Sequence, residues 1–382
     1  MAKTGRTFVG LYSGGAADGI DAALVRIDGS GEHVTVRQTH CLHRPMPELL
    51  HARAASAGTG WAMPAADLAR LDRDMGGLLA DACEALLKDA STPAKYVAGA
   101  GIIGHAVGYT RPSESSGHGA IWELGSPATV CRRTGLAVAC GFAATDLAAG
   151  GVGGPVWAWP DWLMFHDDRL SRVVVHLGSI ATITFIGSAA AACEVVAYDT
   201  GPGTILIDYL ARQLFQRSTD TDGAIAARGG VNAALLNELL AAEHFHRPPP
   251  KRTTAADWSG PAAQRLEMLA GKHRCEAPAL LATVTELTAR GVAAAVLGMT
   301  ERPHEVILTG GGARNIHLAG RIRTLLSPCS TYAGERYGLA VRAHGATAAA
   351  ILAAARMDAF AAHCHNATGA AAPAVLGSLW TP

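Results

Sequence analysis

The segment VGLYSGGAADGIDAALVRI, residues 9–27, joins two apolar runs through a short turn of small residues. The turn contains, in chain order, Ser13, Gly14, Gly15 and Asp18. This pattern predicts a β-hairpin with strands over residues 7–12 and 21–27. Glycine leaves the backbone N–H groups of a turn open to an anion and accepts backbone angles that other residues avoid. The hairpin is therefore a candidate phosphate-binding turn, and an ordinary tight turn is the alternative.

The same design returns in the second half of the chain. RVVVHLGSIATITFIG, residues 172–187, again predicts a strand, a turn of small residues and a strand, and EVVAYDTGPG follows at 194–203. A third glycine turn, TGGGARN, lies between a buried strand and a helix within residues 305–326. Backbone groups at such a strand-to-helix turn can approach a nucleotide. Two hairpins on opposite sides of a cleft would hold a triphosphate between them, so the three turns together favour a nucleotide site.

The composition argues against several classes of protein. The length of 382 residues predicts about two domains. Lys+Arg and Asp+Glu number 32 each, and a net charge of zero argues against a general binder of nucleic acid or of anionic membranes. The start MAKTGRTFVG lacks the apolar core of a secretory signal, and no apolar run of about 18 residues predicts a membrane span. Eight cysteines without a CxxC pair indicate reduced thiols and a cytoplasmic protein.

Strands and helices alternate along the rest of the chain. Apolar residues at helical spacing predict helices over 68–90 and 278–297, and YVAGAGII at 96–103 predicts a strand. AVRAHGATAAAILAAARM predicts a last helix, and the Ala-rich residues 361–382 predict a poorly packed tail or a loose arm. The stretches THCLH and HCH lack complete metal-ligand spacing, so ordinary loop and tail residues are the better interpretation.

Eight segments resemble the blocks of one known family. They are GLYSGGAADGIDAALV, FAATDLAAGGVGGPV, HLGSIATIT, DTGPGTILID, DTDGAIAARG, PPPKRTT, TVTELTA and GGGARN, in unbroken order from about residue 8 to about residue 355. The first six are similar to GLMSGTSLDGIDAALV, DFRxxDVAxGGQGAPL, NxGGIANIT, DTGPGNxLID, DxDGxxAxxG and PPKSTGRE. These are motifs of the anhydro-N-acetylmuramic acid kinase family, part of the sugar kinase/Hsp70/actin superfamily.

The resemblance implies an α/β protein with the two-lobed, actin-like ATPase fold, which is ribonuclease H-like. In that fold, mixed sheets are flanked by helices and ATP lies in the cleft between the lobes. We expect an N-terminal lobe over 1–168, with the first hairpin and a catalytic aspartate. A C-terminal lobe over 169–360 would contain the second hairpin and the GGG turn, followed by the tail over 361–382. ATP and Mg²⁺ are the implied cofactors.

The resemblance also implies which residues bind the nucleotide. They are Ser13, Gly14, Gly15, Asp18, Gly178, Asp199, Gly201, Gly203, Gly311, Gly312 and Asn315. Asp18 and Asp199 are the candidate ligands of the phosphate–magnesium unit. For Asp199 two roles stay open: orienting Mg²⁺-bound water, or fixing the turn through an Asx-type hydrogen bond.

Asp146 in TDLAAGG stands at the position of the family's catalytic aspartate. The implied reaction opens a 1,6-anhydro sugar. A carboxylate activates water at the anomeric carbon, and the bridge oxygen, which becomes O6, takes the γ-phosphoryl group. Phosphoryl transfer itself needs mainly positioning and charge neutralisation. The structural alternative is that Asp146 caps a helix N-terminus, because aspartate before a small-residue segment commonly has that role.

The sugar side departs most from the family pattern. Departures stand at Gly15, Ala16, Ile103, His105, Gly141, Ala143 and Arg342, and in WAWPDW at 157–162. The candidate substrate-binding residues are His105, Trp157, Lys251 and Arg342. Trp157 is either a sugar platform or part of a core, and Lys251 either reaches substrate or phosphate or is solvated. Losing one hydrogen-bonding side chain costs about 1–3 kcal/mol for the original ligand, so the departures predict a changed sugar or lost activity.

The leading prediction is an ATP- and Mg²⁺-dependent kinase that opens 1,6-anhydro-N-acetylmuramic acid and phosphorylates its O6 in cell-wall recycling. A kinase for another anhydro sugar such as levoglucosan, or for a plain sugar, is the alternative within the class. A catalytically silent sensor of nucleotide or sugar is the alternative from another class. The sugar is the expected partner, with neither nucleic acid nor a membrane, and family membership suggests a homodimer.

Overall fold

The computed structural model describes residues 5–59, 62–113 and 117–382. The strands are β1 Arg6–Tyr12, β2 Gly19–Ser30, β3 His33–Pro45, β4 Val97–Ile103, β5 His105–Thr110, β6 Ala120–Leu124, β7 Val138–Cys140, β8 Arg172–Leu177, β9 Ile180–Ile186, β10 Val196–Pro202, β11 Glu305–Thr309, β12 Ser330–Ala333 and β13 Ser378–Trp380. The α-helices are α1 Glu48–Gly58, α2 Ala65–Asp89, α3 Pro127–Thr134, α4 Phe142–Ala148, α5 Ala158–Phe165, α6 Ile205–Phe215, α7 Ala233–Leu240, α8 Glu243–His246, α9 Pro261–Lys272, α10 Ala277–Leu297, α11 Ile316–Leu325, α12 His344–Met357 and α13 His365–Thr368.

The first sheet has the strand order β13-β7-β4-β1-β2-β3. β1 and β2 pair antiparallel, as do β2 and β3, whereas β1 runs parallel to β4 and β4 parallel to β7. The register pairs Tyr12 with Asp21, so the predicted glycine turn lies at the carboxyl end of β1. Ligands of open α/β sheets bind beyond the carboxyl ends of the strands, and the turn is at that edge.

The second sheet repeats this plan in the order β10-β9-β8-β11-β12. β8, β9 and β10 form an antiparallel meander, and β8, β11 and β12 are parallel. Apart from the added edge strand β13, the two sheets have the same topology. The protein is therefore a duplicated, ribonuclease H-like α/β fold, and the predicted fold class is confirmed. The two hairpins predicted from glycine turns are β1–β2 and β8–β9.

Helices cover both sheets with apolar side chains. One face of the first sheet packs on α2 through a cluster that includes Val9 and Leu79, both without exposure. In the second lobe, α10 packs on the sheet through a cluster that includes Val175 and Leu281. α10 is long and apolar enough to cross a membrane by length and composition, yet 83% of its most apolar stretch is buried inside the protein. It is the central helix of this core.

The last long helix lies between the two sheets. α12 packs directly on β1 and β4, and its cluster also contains Val174 of β8 and Ile307 of β11. The approach is close because the strands present glycine: a Cβ added at Gly10 would lie 1.7 Å from the carbonyl oxygen of Ala346. The sequence-based boundary at residue 360 placed α12 with the C-terminal lobe alone. The structure corrects this, since the first sheet is the main surface against which α12 packs.

The Ala-rich C-terminal segment is not a loose tail, contrary to the sequence-based expectation. β13 pairs antiparallel with β7 at the edge of the first sheet. Backbone hydrogen bonds also join Val152 N to Thr368 O at 2.9 Å and Ala371 N to Ala149 O at 3.1 Å. The segment looked weakly packed because alanine gives no amphipathic signal. Its order comes from strand pairing and backbone contacts that composition does not encode.

We predict that Gly10→Ala lowers the free energy of unfolding by about 3 kcal/mol or more, because the new methyl group would overlap the backbone of α12. Gly77→Ala is the matched control. A Cβ at Gly77, within α2, would meet nothing within 4 Å, and alanine is favoured over glycine in a helix by about 0.8–1 kcal/mol. Urea denaturation of both variants measures the difference. Equal stability of the two variants would contradict the close packing of α12 on β1.

Candidate active site

The two glycine hairpins lie against each other across the cleft. A Cβ added at Gly15 would lie 2.6 Å from the Oγ of Ser179, which is in the turn between β8 and β9. Ser13 holds the base of the first turn through its N–H, which donates to Ile103 O at 3.0 Å. The Ser13 Oγ is buried and has no hydrogen-bond partner among the described residues. A buried hydroxyl without a partner calls for a ligand or ordered water, which fits a phosphate site.

The glycine turns of the second lobe converge on the β8–β9 turn. A Cβ at Gly203 would lie 2.1 Å from Gly178 O, and a Cβ at Gly312 would lie 2.9 Å from Leu177 O. The structure thus brings three segments that are far apart in sequence to one place. Each glycine there is needed because backbone approaches backbone, and the same approach leaves N–H groups unscreened for an anion.

Gly201 and Asn315, two other predicted nucleotide-binding residues, have structural contacts instead. A Cβ at Gly201 would lie 2.9 Å from the ring of Phe245, so packing against that ring requires glycine at this position. Asn315 is the N-cap of α11, and its Oδ1 accepts from Leu318 N at 2.9 Å. Neither contact was predicted from the sequence, and a nucleotide contact of either residue stays a prediction.

Arg342 is bound to the first hairpin, and its contact with the sugar stays a prediction. Its guanidinium forms an ion pair with Asp18, and its Nε donates to Asp21 Oδ1 at 2.7 Å. The Nδ1 of His43 lies 2.8 Å from the same Asp21 oxygen. The Nη1 of Arg342 lies 3.9 Å from where a Cβ on Gly311 would be, so the arginine also borders the third glycine turn.

Asp199 is buried under the segment that follows α8. Its Oδ2 accepts from Thr253 N at 2.9 Å and its Oδ1 from Thr182 Oγ1 at 3.2 Å. Burial raises the pKa of Asp199 to about 6, and the charge of Arg252 opposes that rise. These contacts differ from the Asx-type hydrogen bond within its own turn that the sequence left open, because the carboxylate fixes the separate segment at Thr253. A role at the phosphates stays a prediction.

Lys251 is neither solvated nor directed at the glycine turns. Its side chain is buried, its Nζ donates to His244 O at 3.0 Å, and the ammonium lies 5.4 Å from the centre of the Tyr198 ring. Burial lowers the pKa of Lys251 below its ordinary value. The interpretation of Lys251 as a solvated lysine is therefore wrong, and its contact with substrate or phosphate stays a prediction.

Asp146 lies inside α4 and does not cap its N-terminus, so the structural alternative considered for it is wrong. The side chain is 1% exposed. Its Oδ2 accepts from Gly153 N at 2.6 Å, and its Oδ1 lies 2.6 Å from the Nε2 of His363. Ala374 N donates to the other ring nitrogen of His363 at 3.2 Å. The Nε2 of His363 therefore carries the proton and donates it to Asp146.

His105 supports the first hairpin and leaves no ring nitrogen for a sugar. The side chain has no exposure, and its two ring nitrogens lie 3.1 Å from Gly14 O and 2.9 Å from Ala54 O. Burial lowers the pKa of His105 despite these two carbonyl contacts. A neutral imidazole has one N–H, so it donates to one of the two carbonyls. The assignment of His105 to the substrate is corrected accordingly.

Trp157 belongs to a cluster of rings at the junction of the lobes. Its ring centroid lies 4.9 Å from that of His176 and 5.9 Å from that of His344, with Tyr12 at 6.4 Å. The Nε1 of Trp157, both ring nitrogens of His176 and the Nδ1 of His344 are buried without partners among the described residues. The cluster is therefore polar, unlike the apolar core that contains Trp159.

Sequence reasoning did not identify His176, His344 or His363. The Nε2 of His344 donates to Asp161 Oδ1 at 2.6 Å, and Thr184 Oγ1 donates to the other oxygen at 2.7 Å. The one signal in the sequence was His176, which stands where the family block NxGGIANIT begins with Asn. His344 and His363 carried no local signal, because their partners are 183 and 217 residues away.

Two ribonuclease H-like lobes, with apposed glycine hairpins and a buried carboxylate beside the cleft, define a phosphotransferase-type ATPase fold of the actin-like superfamily. Comparison with known proteins identifies one family. The model of the family described as anhydro-N-acetylmuramic acid kinase matches residues 6–382, and the chain belongs to that family.

Relatives called anhydro-N-acetylmuramic acid kinase align over nearly the whole chain. The protein of Gloeobacter violaceus is 34% identical over 372 residues, which cover 97% of this chain and 97% of the relative. That of Salinibacter ruber is 34% identical, with 100% of this chain and 97% of the relative covered. Among solved structures, a ROK family glucokinase from Streptomyces griseus in complex with glucose and AMPPNP is 17% identical. It covers 91% of this chain and 98% of its own at a TM-score of 0.36, a likeness too distant to assign any residue.

We predict that His363→Leu lowers the free energy of unfolding by about 1–3 kcal/mol, because the Oδ1 of Asp146 loses its buried donor. His363→Gln keeps an N–H donor and should lose less than half as much. His365→Leu, in the same segment and without a hydrogen bond to Asp146, is the control. Urea denaturation measures all three variants, and equal losses for His363→Leu and His365→Leu would refute the importance of this hydrogen bond.

We predict that Asp199→Asn removes a pH dependence of stability. The folded pKa of Asp199, about 6, lies above the unfolded value of about 3.9. The folded state therefore binds this proton more tightly, and the resulting stabilisation is present below about pH 4 and lost as pH rises through about 6. Relative to the variant, the wild type should lose about 2 kcal/mol between pH 4.5 and pH 7.

Denaturation at a series of pH values measures this difference. Burial lowers the pKa of the neighbouring His244 to about 4, but His244 titrates in both proteins and its effect cancels in the comparison. A constant difference in stability between wild type and Asp199→Asn across this range would contradict the prediction.

Proposed function

We propose that the protein is an ATP-dependent anhydro-N-acetylmuramic acid kinase of the cytoplasm, which opens the 1,6-anhydro ring and phosphorylates O6 in cell-wall recycling. The observation that carries the proposal is the position of Asp146. It matches the family's catalytic aspartate in the segment TDLAAGG, and its buried carboxylate is held by two donors. Full-length relatives with this name support the choice of sugar.

Asp146 is the proposed general base. Gly153 N and His363 Nε2 fix its two oxygens in place, so little reorganisation is needed when it accepts a proton from water. Each carboxylate oxygen has a second lone pair, and each keeps acceptor capacity beyond its present hydrogen bond. Its burial requires that the cleft open and close around the substrate, and closure then excludes bulk water.

The nucleotide is proposed to lie between the turns that contain Gly15 and Ser179. Backbone N–H groups and the partnerless Ser13 Oγ are the available donors, and they compensate for the Thr-Ser pair that this chain lacks. Within the described residues, no group of three or more His, Cys, Asp or Glu side chains could hold a metal ion. Mg²⁺ at kinase sites takes only one or two carboxylates and completes its shell with phosphates and water, so a cluster of three is not required. Asp18, which is paired with Arg342, and Asp199, which accepts from Thr253 and Thr182, remain the candidate ligands. When bound, MgATP supplies the γ-phosphoryl group and neutralises its charge.

A silent nucleotide or sugar sensor is the second candidate. Both oxygens of Asp146 are already bonded and the residue is 1% exposed, as it would be in a purely structural role. The two candidates differ in turnover, which makes Asp146 the residue to test.

We predict that Asp146→Asn lowers kcat at least about 10²-fold, because the amide cannot act as a general base. ATP binding by calorimetry should stay within about threefold of wild type, since the nucleotide contacts the glycine turns. ADP release with 1,6-anhydro-N-acetylmuramic acid is the measurement. Asp72→Asn is the control: Asp72 also accepts two backbone N–H groups, from Gly125 and Ser126, but far from the cleft. Absence of ADP release by the wild type would favour the sensor, and an Asp146 variant with more than half of the wild-type kcat would refute the role of Asp146 as the base.

A further inference from the structure

Arg252 is a cation without a partner beside the cleft. Within residues 5–59, 62–113 and 117–382 its guanidinium makes no hydrogen bond and no ion pair, and its Nη1 is buried. An unpaired buried guanidinium N–H is costly, because the group gives up water without a replacement. Other arginines nearby are paired: Arg342 binds Asp18, and Arg111 lies 3.6 Å from Asp257.

The backbone on both sides of Arg252 is fixed. Asp199 N donates to Lys251 O at 3.2 Å, and Thr253 N donates to Asp199 Oδ2 at 2.9 Å. The guanidinium carbon lies 5.0 Å from the centre of the Tyr109 ring, and the Tyr109 hydroxyl donates to Val152 O at 2.9 Å. The charge is therefore held in one place by contacts that do not neutralise it.

The guanidinium borders the loop that holds Asp146. A Cβ on Gly153 would lie 2.7 Å from Nη1 of Arg252, and one on Gly154 would lie 3.2 Å from it, so glycine at both positions makes room for the charge. The N–H of Gly153 is the group that donates to Asp146. A ligand bound to Nη1 would therefore lie beside Gly153, the residue whose N–H donates to Asp146, the proposed base.

Among the described residues, no carboxylate forms an ion pair with Arg252, although its charge acts on Asp199 and Glu123. Asp199 is engaged by Thr253 and Thr182. Burial raises the pKa of Glu123 to about 7, with Arg252 acting in the opposite direction, so only about half of the Glu123 carboxyl groups are ionised near neutral pH. The buried Nη1 of Arg252 therefore remains a donor without an acceptor among the described residues, and it can form a charge-assisted hydrogen bond with an anionic group.

We propose that Arg252 binds a carboxylate carried by the sugar substrate, so that this site selects an acidic anhydro sugar over a neutral one. The inference rests on the proposed function and deepens it. A sugar carboxylate is favoured over the transferred phosphoryl group because the guanidinium lies against Tyr109, Gly153 and Gly154, and Gly153 donates to Asp146. None of the atoms nearest to a Cβ added at Gly178, Gly203 or Gly312 belongs to Arg252. A planar guanidinium binds a carboxylate through two parallel hydrogen bonds.

The test compares two substrates that differ only in charge: 1,6-anhydro-N-acetylmuramic acid and the same sugar with its carboxylate converted to the amide. We predict that Arg252→Gln lowers kcat/KM for the acid about 10- to 100-fold, mostly through KM, as expected for a lost charge-assisted hydrogen bond. The kcat/KM for the amide should change less than about threefold in the same variant. Arg252→Lys keeps the positive charge but lacks the planar guanidinium, so its kcat/KM for the acid should lie between those of the wild type and Arg252→Gln. Arg111→Gln is the control for removing a nearby positive charge.

Three outcomes would overturn the proposal. Equal losses on acid and amide with weaker ATP binding would place Arg252 at the phosphoryl group. Unchanged kinetics would give it no binding role. If the wild type turns over neither sugar, the proposed function fails by itself, and calorimetry of the two sugars with wild type and Arg252→Gln still tests the site. Equal affinity of the wild type for acid and amide would then refute the proposal that Arg252 binds the sugar carboxylate. Melting temperatures control for folding, which should survive because the Arg252 side chain has no hydrogen-bond partner to lose.

Discussion

The close contact of α12 with β1 is the constraint on which the site depends. Glycine on the strands and alanine on the helix let the two backbones approach to a distance that no larger side chain would permit. The chain flanking this helix provides Arg342 to the first hairpin, His344 to Asp161 and His363 to Asp146. If α12 moved outward by one methyl group, all three polar contacts would shift together, since packed interiors transmit small displacements.

The distribution of charge around the cleft follows from the same packing. Most charged side chains at the junction of the lobes are matched within the protein, as Arg342 is by Asp18 and Asp21. Lys251 has no ion pair among the described residues, but its buried Nζ donates to a backbone carbonyl. Arg252 differs because its neighbours are an aromatic ring and two glycines. Arg252 is proposed as a specificity residue because its buried guanidinium lacks a partner, and being an arginine would not by itself identify it.

The divergence of this chain from its family is concentrated where the lobes meet. Histidines at 176 and 344, with Trp157, form a polar ring cluster in a region where several buried nitrogens lack partners. The backbone of the glycine turns is preserved, while side chains around it differ from the family motifs. Phosphate recognition through backbone N–H groups tolerates such change, because those groups are present whatever the side chain. The recognition of a sugar does not tolerate such change, because it depends on side-chain hydrogen bonds.

The sequence by itself determined the two hairpins, the glycine turns, the fold class and the family. These features are local: alternation of apolar residues, a glycine between two strands, and the order of short motifs along the chain. Tertiary structure alone decided the partner of each polar side chain. Asp146 proved to be bonded to His363, 217 residues away, and Asp21 to Arg342, 321 residues away. His105, Lys251 and the C-terminal segment were misjudged for the same reason. A hydrogen bond depends on which groups come together after the chain has folded, and the local spacing of residues in the sequence does not predict those partners.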